Sequence, residues 1–332
     1  MAESARDYSY ARYLAAKKTV DDRALNRHVW QRLHHAVSAH EGPLRIVDLG
    51  AGIGTMVERL VEWGLLAPAA RDSPARAGAG PRVAHVTLVD NEPTFIAAAH
   101  ARLAVWAAAA GFAVDAGEAR LALRRPDLAL TVELYADDAL AFVAREAPAQ
   151  PWDLMIASAF LGLVDTATAL PGLFAALRPG GLAYFTINFD GDIVMEPAIE
   201  RALDDEVVRL LCADMDARIG QHPGHLVSRT GRRLFHHVRA AGGDVLALGA
   251  SDWVVAPGPA GYAADEAYFL HHLVHFIPGA LADNPTLDRA TVEAWVEQRH
   301  RQIDAAQLLY VSHQLDLLAR VPGGAAEVPV PE

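Results

Sequence analysis

The sequence predicts an α/β protein built on a doubly wound, mostly parallel sheet with helices on both faces, and three observations predict it. Short, nearly continuous apolar runs, LRIVDLG, VAHVTLVD and WDLMIAS, read as strands buried on both sides. Between them lie segments of helical length and period, among them FIAAAHARLAVWAAAA and ATALPGLFAALR. A glycine-rich turn closes the first apolar run and opens a helix. Strands alternating with helices fold as a parallel sheet covered on both faces, because each crossover is right-handed and lays its helix back on the sheet.

Residues 1 to 42 read as helical, with Leu25, Val29, Leu33 and Val37 four apart on one face. Strand LRIVDLG and helix MVERLVEWGLL follow. Residues 68 to 82, dense in Pro, Gly and Ala, read as a surface loop. Further strands are expected at VAHVTLVD, LALTVELYA, WDLMIAS and GLAYFTINF, with ALAFVAREA as a helix among them. Beyond Phe189 the alternation loosens. Helices are expected near 196 to 219 and 232 to 241, a single strand at VLALGASDWVVA, helices at 265 to 283 and 286 to 306, and a last strand at LLYVSHQLDLL. The tail, 321 to 332, reads as flexible.

Composition narrows the classes. The 332 residues are 52% hydrophobic and 21% charged, which excludes disordered, collagen-like and disulfide-stapled chains. A net charge of -12 disfavours a phosphate-tracking surface, so no nucleic-acid partner is expected. Cys212 is the only cysteine, which leaves no internal disulfide and no multi-thiolate metal site. No secretory signal and no clean apolar run of membrane-spanning length is read, so a soluble, cytoplasmic protein without a membrane partner is expected.

The most informative stretch is IVDLGAGIGTMVERL. Glycines at 50, 52 and 54 allow a sharp turn and close approach of a ligand, and the helix from Thr55 offers free N–H donors. A dinucleotide fingerprint would need glycine or alanine at position 55, where this chain has Thr55. The pattern D-x-G-x-G-x-G instead resembles the first motif of the class I S-adenosylmethionine-dependent methyltransferases. Four further stretches resemble that family in order: VTLVD with its acid Asp90, LYADDAL, PWDLMIASAFLGLVD, and LRPGG before a strand.

The resemblance implies a Rossmann-like sheet of seven strands, the last antiparallel, with an N-terminal helical lid and helical insertions after strands five and six. Its domain division is a lid at 1–42, a cofactor-binding core at 43–190, cap insertions with the last two strands at 191–320, and the tail. It implies S-adenosylmethionine as cofactor and S-adenosylhomocysteine as product. Asp48 would help hold the cofactor's ammonium end, with Gly50, Ala51, Gly52 and Gly54 against its amino-acid and ribose portions. Asp90, with Asn91 beside it, would accept both ribose hydroxyls. Asp138, or Asp137 one position earlier, would read the adenine amino group next to Ala139. Ser158, Ala159 and Phe160 would lie beneath the transferred methyl.

Each acid has a plainer alternative as a helix N-cap or strand-end residue, and it is their order along the chain that favours ligand contacts. For Asp153, at the amino end of its strand, the plainer reading is preferred. Pro179, Gly180 and Gly181 are read as a turn.

The acceptor side is less legible. Tyr13 is a candidate through cation–π contact with a sulfonium. On EAYFLHHLVHFIPGAL, His271 and His275 should share a flank with Tyr268, where one could orient or deprotonate an acceptor, and His272 should point away from the apolar stripe. No third ligand accompanies the histidines, so no metal is expected. The reading is therefore a methyltransferase for a small-molecule acceptor. Kept open are a protein or peptide methyltransferase, a cofactor-binding non-catalytic homologue, a nicotinamide oxidoreductase, and a homodimer.

Overall fold

The computed structural model describes residues 8–67, 80–219, 226–282 and 284–323. Most of the 68–82 loop and the tail beyond 323 lie outside the described residues. In chain order the elements are α1 (Tyr10–Ala24), α2 (Arg27–Ser38), β1 (Leu44–Leu49), α3 (Thr55–Glu62), β2 (Arg82–Asp90), α4 (Pro93–Ala109), β3 (Ala113–Ala116), β4 (Arg120–Arg125), β5 (Leu128–Ala136) and α5 (Ala139–Glu146). There follow β6 (Trp152–Ser158), α6 (Thr166–Ala175), β7 (Leu177–Glu196), α7 (Arg201–Ile219), α8 (Thr230–Ala240), β8 (Asp244–Ala250), β9 (Trp253–Val255), α9 (Glu266–Ala280), α10 (Arg289–Asp304) and β10 (Leu309–Arg320).

One sheet runs in the order β3-β4-β5-β2-β1-β6-β7-β10-β8, with β9 paired to β10. The stretch from β5 to β7 is parallel, and β10 inserts antiparallel between β7 and β8. The side chains of β1 explain the double winding. Leu44 and Ile46 pack with α2, α3 and α4, whereas Val47 and Leu49 pack with α5, α6 and α8. Two apolar faces demand two helical layers.

The sheet has ten strands where seven were expected. Two of the extra strands, β3 and β4, form a hairpin that extends the β5 edge. The third arises because VLALGASDWVVA breaks at Ser251 and Asp252 into β8 and β9, both of which pair with β10. The expected turn at Pro179 to Gly181 is a bulge inside β7: Trp152 pairs with Leu177, but Leu154 already pairs with Leu182. Residues 1–42 divide in two. Helix α2 belongs to the core layer, whereas α1 packs on α9, β9 and β10 in a separate cluster. No helix among the described residues is long and apolar enough to cross a membrane.

Candidate active site

A cavity of about 610 Å³ opens at the carboxyl ends of β1, β2 and β6. In a doubly wound sheet the crossovers diverge to opposite faces at such a point, and the resulting crevice is where ligands lie. The glycine loop lines its floor, Asp90, Asn91 and Asp138 one wall, and Ser158 to Phe160 the other. Helix α1 roofs it with Tyr10, Tyr13, Leu14 and Lys17.

The loop glycines are required for different reasons. All three have left-handed backbones, with φ of 65, 54 and 77° at Gly50, Gly52 and Gly54. The amides of Gly50 and Ala51 donate to the Val89 carbonyl at 2.9 and 3.1 Å, which bends the loop over β2. A Cβ on Gly50 would lie 2.6 Å from the Phe160 ring, and one on Gly52 would lie 3.2 Å from Leu14. Gly54, expected against the cofactor, is not on the cavity wall. It is the N-cap of α3, and a Cβ there would press on Leu103 at 3.0 Å, so its role is to let α3 approach α4.

The acids divide in the same way. Asp90 is buried and accepts from the Gly52 amide at 2.8 Å and the Glu92 amide at 3.0 Å, which couples the end of β2 to the loop. Asp48 is 2% exposed and lines the cavity, yet it accepts no hydrogen bond from the described residues. Its pKa is raised to about 7, chiefly by burial; the Arg59 charge opposes the rise and Asp90 adds to it. Asp138 lines the cavity and also caps α5 by accepting from the Ala141 amide at 2.8 Å. Asp137 is not on the wall. It faces outward and pairs with Arg145 at 2.9 Å, so of the two acids only Asp138 reaches the site. Asn91 and Ala139 also line the cavity. At the end of β6, Ala159 adopts φ 53° while its amide donates to the Thr186 carbonyl at 2.9 Å, and this turns Phe160 into the cavity.

Of the wall residues, Asp21, Arg59 and Phe95 were not anticipated. Arg59 is fully buried and pairs with Asp22 at 2.6 Å. Lys17 pairs with Asp21 at 2.6 Å, and Asp21 also accepts from the Trp253 indole at 2.9 Å. These pairs fasten α1 to α3 and β9. The four-residue spacing of Lys17 and Asp21 was the one available signal. Phe95, which stacks on Tyr10 at 5.2 Å, had none.

The histidine expectations need correction. His271 is buried away from the cavity, with its Nδ1 2.8 Å from His300 Nδ1 and its Nε2 3.1 Å from Asp304. His275 is exposed and stacks on Tyr8 at 3.8 Å. Neither lines the cavity. His272, expected to point away from the apolar stripe, is 2% exposed and stacks on Tyr13 at 4.7 Å, and neither ring nitrogen has a hydrogen-bond partner among the described residues. Burial lowers its pKa to about 4, with a smaller contribution from His275. A single-stripe wheel fails here because α9 is packed by α1 on one side and by α7 and α10 on another. Tyr13 does line the cavity, and burial raises its hydroxyl pKa well above the ordinary value. Among the described residues no three His, Cys, Asp or Glu side chains gather as a metal ligand set.

No family model and no curated protein matches the chain. Solved structures that resemble it in fold are S-adenosylmethionine-dependent methyltransferases. One from Geobacter sulfurreducens, in complex with S-adenosylhomocysteine, is 16% identical with a TM-score of 0.42, over 94% of this chain and 98% of that one. Phosphoethanolamine N-methyltransferase 2 of Haemonchus contortus is 10% identical with a TM-score of 0.40, and the match takes in 96% of this chain but only 59% of that longer protein. A geranyl diphosphate methyltransferase in complex with S-adenosylmethionine is 11% identical with a TM-score of 0.39, over 96% and 92%. Likeness at this level carries no weight for chemistry.

Proposed function

We propose that the protein is an S-adenosylmethionine-dependent methyltransferase acting on a small-molecule acceptor. The observation that carries this reading is Asp48: a buried carboxylate on the cavity floor, without a hydrogen-bond donor among the described residues, beside glycines that leave no room for side chains. A buried acid in that state calls for a cation, and the ammonium group of the cofactor supplies one. Asp90, at the end of β2, carries the acceptor oxygens that a ribose diol needs. Asp138 and Ala139 would flank the adenine, and Ser158, Ala159 and Phe160 would sit under the reacting end.

When bound, S-adenosylmethionine supplies a methyl group on a sulfonium, which an acceptor lone pair takes as the carbon–sulfur bond breaks and sulfur keeps its electron pair. The chain's own residues align the acceptor and exclude water. Tyr10, Tyr13 and Leu14 close the cavity from above, and Phe160 closes it from β6. The volume of the cavity lies within the roughly 300–1,000 Å³ that suits small ligands, which favours a compact acceptor over a polymer.

Calorimetric titration with S-adenosylmethionine and S-adenosylhomocysteine, with NADH as control, tests the reading. Micromolar binding of the first two alone is expected. Silence from both with a folded sample, or binding of NADH, overturns it.

A further inference from the structure

The charges on the cavity wall are unequal. Five carboxylates, those of Asp21, Asp48, Asp90, Glu92 and Asp138, face two cations, Lys17 and Arg59. Both cations are already paired within α1 and α3, at 2.6 Å to Asp21 and 2.6 Å to Asp22. With Asp21 paired to Lys17 and Asp48 given to the cofactor's ammonium in the reading above, Asp90, Glu92 and Asp138 still leave the wall net negative, so an anionic acceptor would meet an unfavourable potential.

Apolar side chains stand at the mouth of the cavity, beside the exposed Asn91 and Asp138. Tyr10 is 45% exposed, Leu163 66% and Phe276 45%. Tyr10 and Leu163 line the cavity, and the Phe276 ring lies 6.0 Å from Tyr10. Exposed apolar side chains gathered at a pocket entrance mark the path of an apolar ligand. The faces of Tyr10 and Phe95 also attract a cation.

The wall offers little help with a proton. Among the described residues it holds no histidine. Burial raises the Tyr10 and Tyr13 hydroxyls above their ordinary pKa, which leaves them poor bases at neutral pH. Asp48, the carboxyl poised near neutrality, is taken by the cofactor's ammonium in the reading above. A hydroxyl acceptor needs a base during attack, whereas an amine brings its own lone pair.

From these three features we infer that the methyl acceptor is an apolar amine, drawn into the cavity by its negative wall and aromatic mouth. The inference rests on the methyltransferase reading. The amine binds as an ammonium and sheds its proton to water. Its neutral form then attacks the methyl carbon, and the new ammonium product loses a proton to solvent.

The test is calorimetry on protein loaded with S-adenosylhomocysteine, using three probes with similar apolar bodies: 2-phenylethylamine, 4-ethylphenol and 3-phenylpropanoate. Methyl transfer from S-adenosylmethionine to each is followed by mass spectrometry. The amine is expected to bind at least about tenfold more tightly than the carboxylate and to be the one probe that gains a methyl group, at a rate that rises with pH. Equal binding, no binding of the amine, or methylation of the phenol or carboxylate overturns the inference while leaving cofactor binding intact. Failure of S-adenosylhomocysteine itself to bind removes the underlying reading instead.

Discussion

Two buried aspartates sit on neighbouring strands at opposite edges of the sheet. Asp153, at the amino end of β6, accepts from the Arg45 amide at 2.7 Å and pairs with Arg178, whose guanidinium is 2.8 Å from His40 Nδ1. The cavity beside it is about 130 Å³. Asp48, near the carboxyl end of β1, is buried more deeply and accepts no hydrogen bond from the described residues, on the floor of a cavity of about 610 Å³. The difference teaches which buried acid is structural. One edge satisfies its charge from within the chain, whereas the other leaves Asp48 without a hydrogen bond from the described residues, at the place proposed above for the cofactor.

The sharpest way to break this comparison is to add one methyl at each edge. Gly50→Ala places a Cβ 2.6 Å from Phe160 at φ 65°. It should lower S-adenosylmethionine affinity more than tenfold by calorimetry and also lower Tm. Gly181→Ala meets the Arg178 carbonyl at 2.8 Å and should lower stability by about 1–3 kcal/mol with Kd unchanged. If Gly181→Ala weakens cofactor binding as much as Gly50→Ala, the two edges are not independent.

Asp90→Ala removes the acceptor that joins β2 to the loop and should weaken cofactor binding by roughly 1–3 kcal/mol, since charged hydrogen bonds are lost. Unchanged affinity would remove Asp90 from the site.

The two aspartates should respond to amidation with opposite signs. The folded pKa of Asp48, about 7, stands above its ordinary value of 3.8. Its favourable contribution is therefore complete below about pH 4 and is lost as pH rises through 7. Asp48→Asn should be more stable than the parent at pH 8 by roughly 1–3 kcal/mol, with the gap closing at pH 4, while cofactor affinity falls. Asp153→Asn should destabilise at pH 8, because Arg178 loses its partner. Thermal melts of both variants across pH check this, and a Tm for Asp48→Asn below the parent at pH 8 would contradict it.

The smallest difference separates adjacent residues. Asp138→Ala should cost about 1 kcal/mol through the lost cap and reduce cofactor affinity. Asp137→Ala loses an exposed ion pair, worth about 0–1 kcal/mol, and should leave affinity alone. Equal loss of affinity in both variants would move the adenine contact off Asp138.

Much of this architecture is legible in the residues for a physical reason. Strands buried on both faces read as continuous apolar runs, so β1, β2, β6 and the stretch of β7 from Leu182 stand out, and the acids closing β1 and β2 can be placed on one edge. The hairpin of β3 and β4 is hidden because its apolar run is short, as in RLALRR, and ends in charged residues with only Pro126 and Asp127 between it and β5. Arg59 is hidden because an arginine on an amphipathic helix reads as solvent-facing; here α1 covers it. The histidines of α9 defeat sequence reading for the same reason. Burial by several elements at once leaves no clean periodic signal, and only tertiary packing decides which of His271, His272 and His275 is enclosed.

Strand β10 lies between β7 and β8, and its Asp316 accepts from the amides of Asn26 and Ile187, at 2.8 Å each. On a ribosome these partners emerge in sequence, and the β7 side of the sheet stays unpaired until residues 309 to 320 leave the exit tunnel. The start of α2 waits for a carboxylate made nearly 300 residues later. Closure of the sheet is thus a late, long-range event in the life of each newborn chain, during which an unpaired strand edge stays exposed to chaperones and to neighbouring chains.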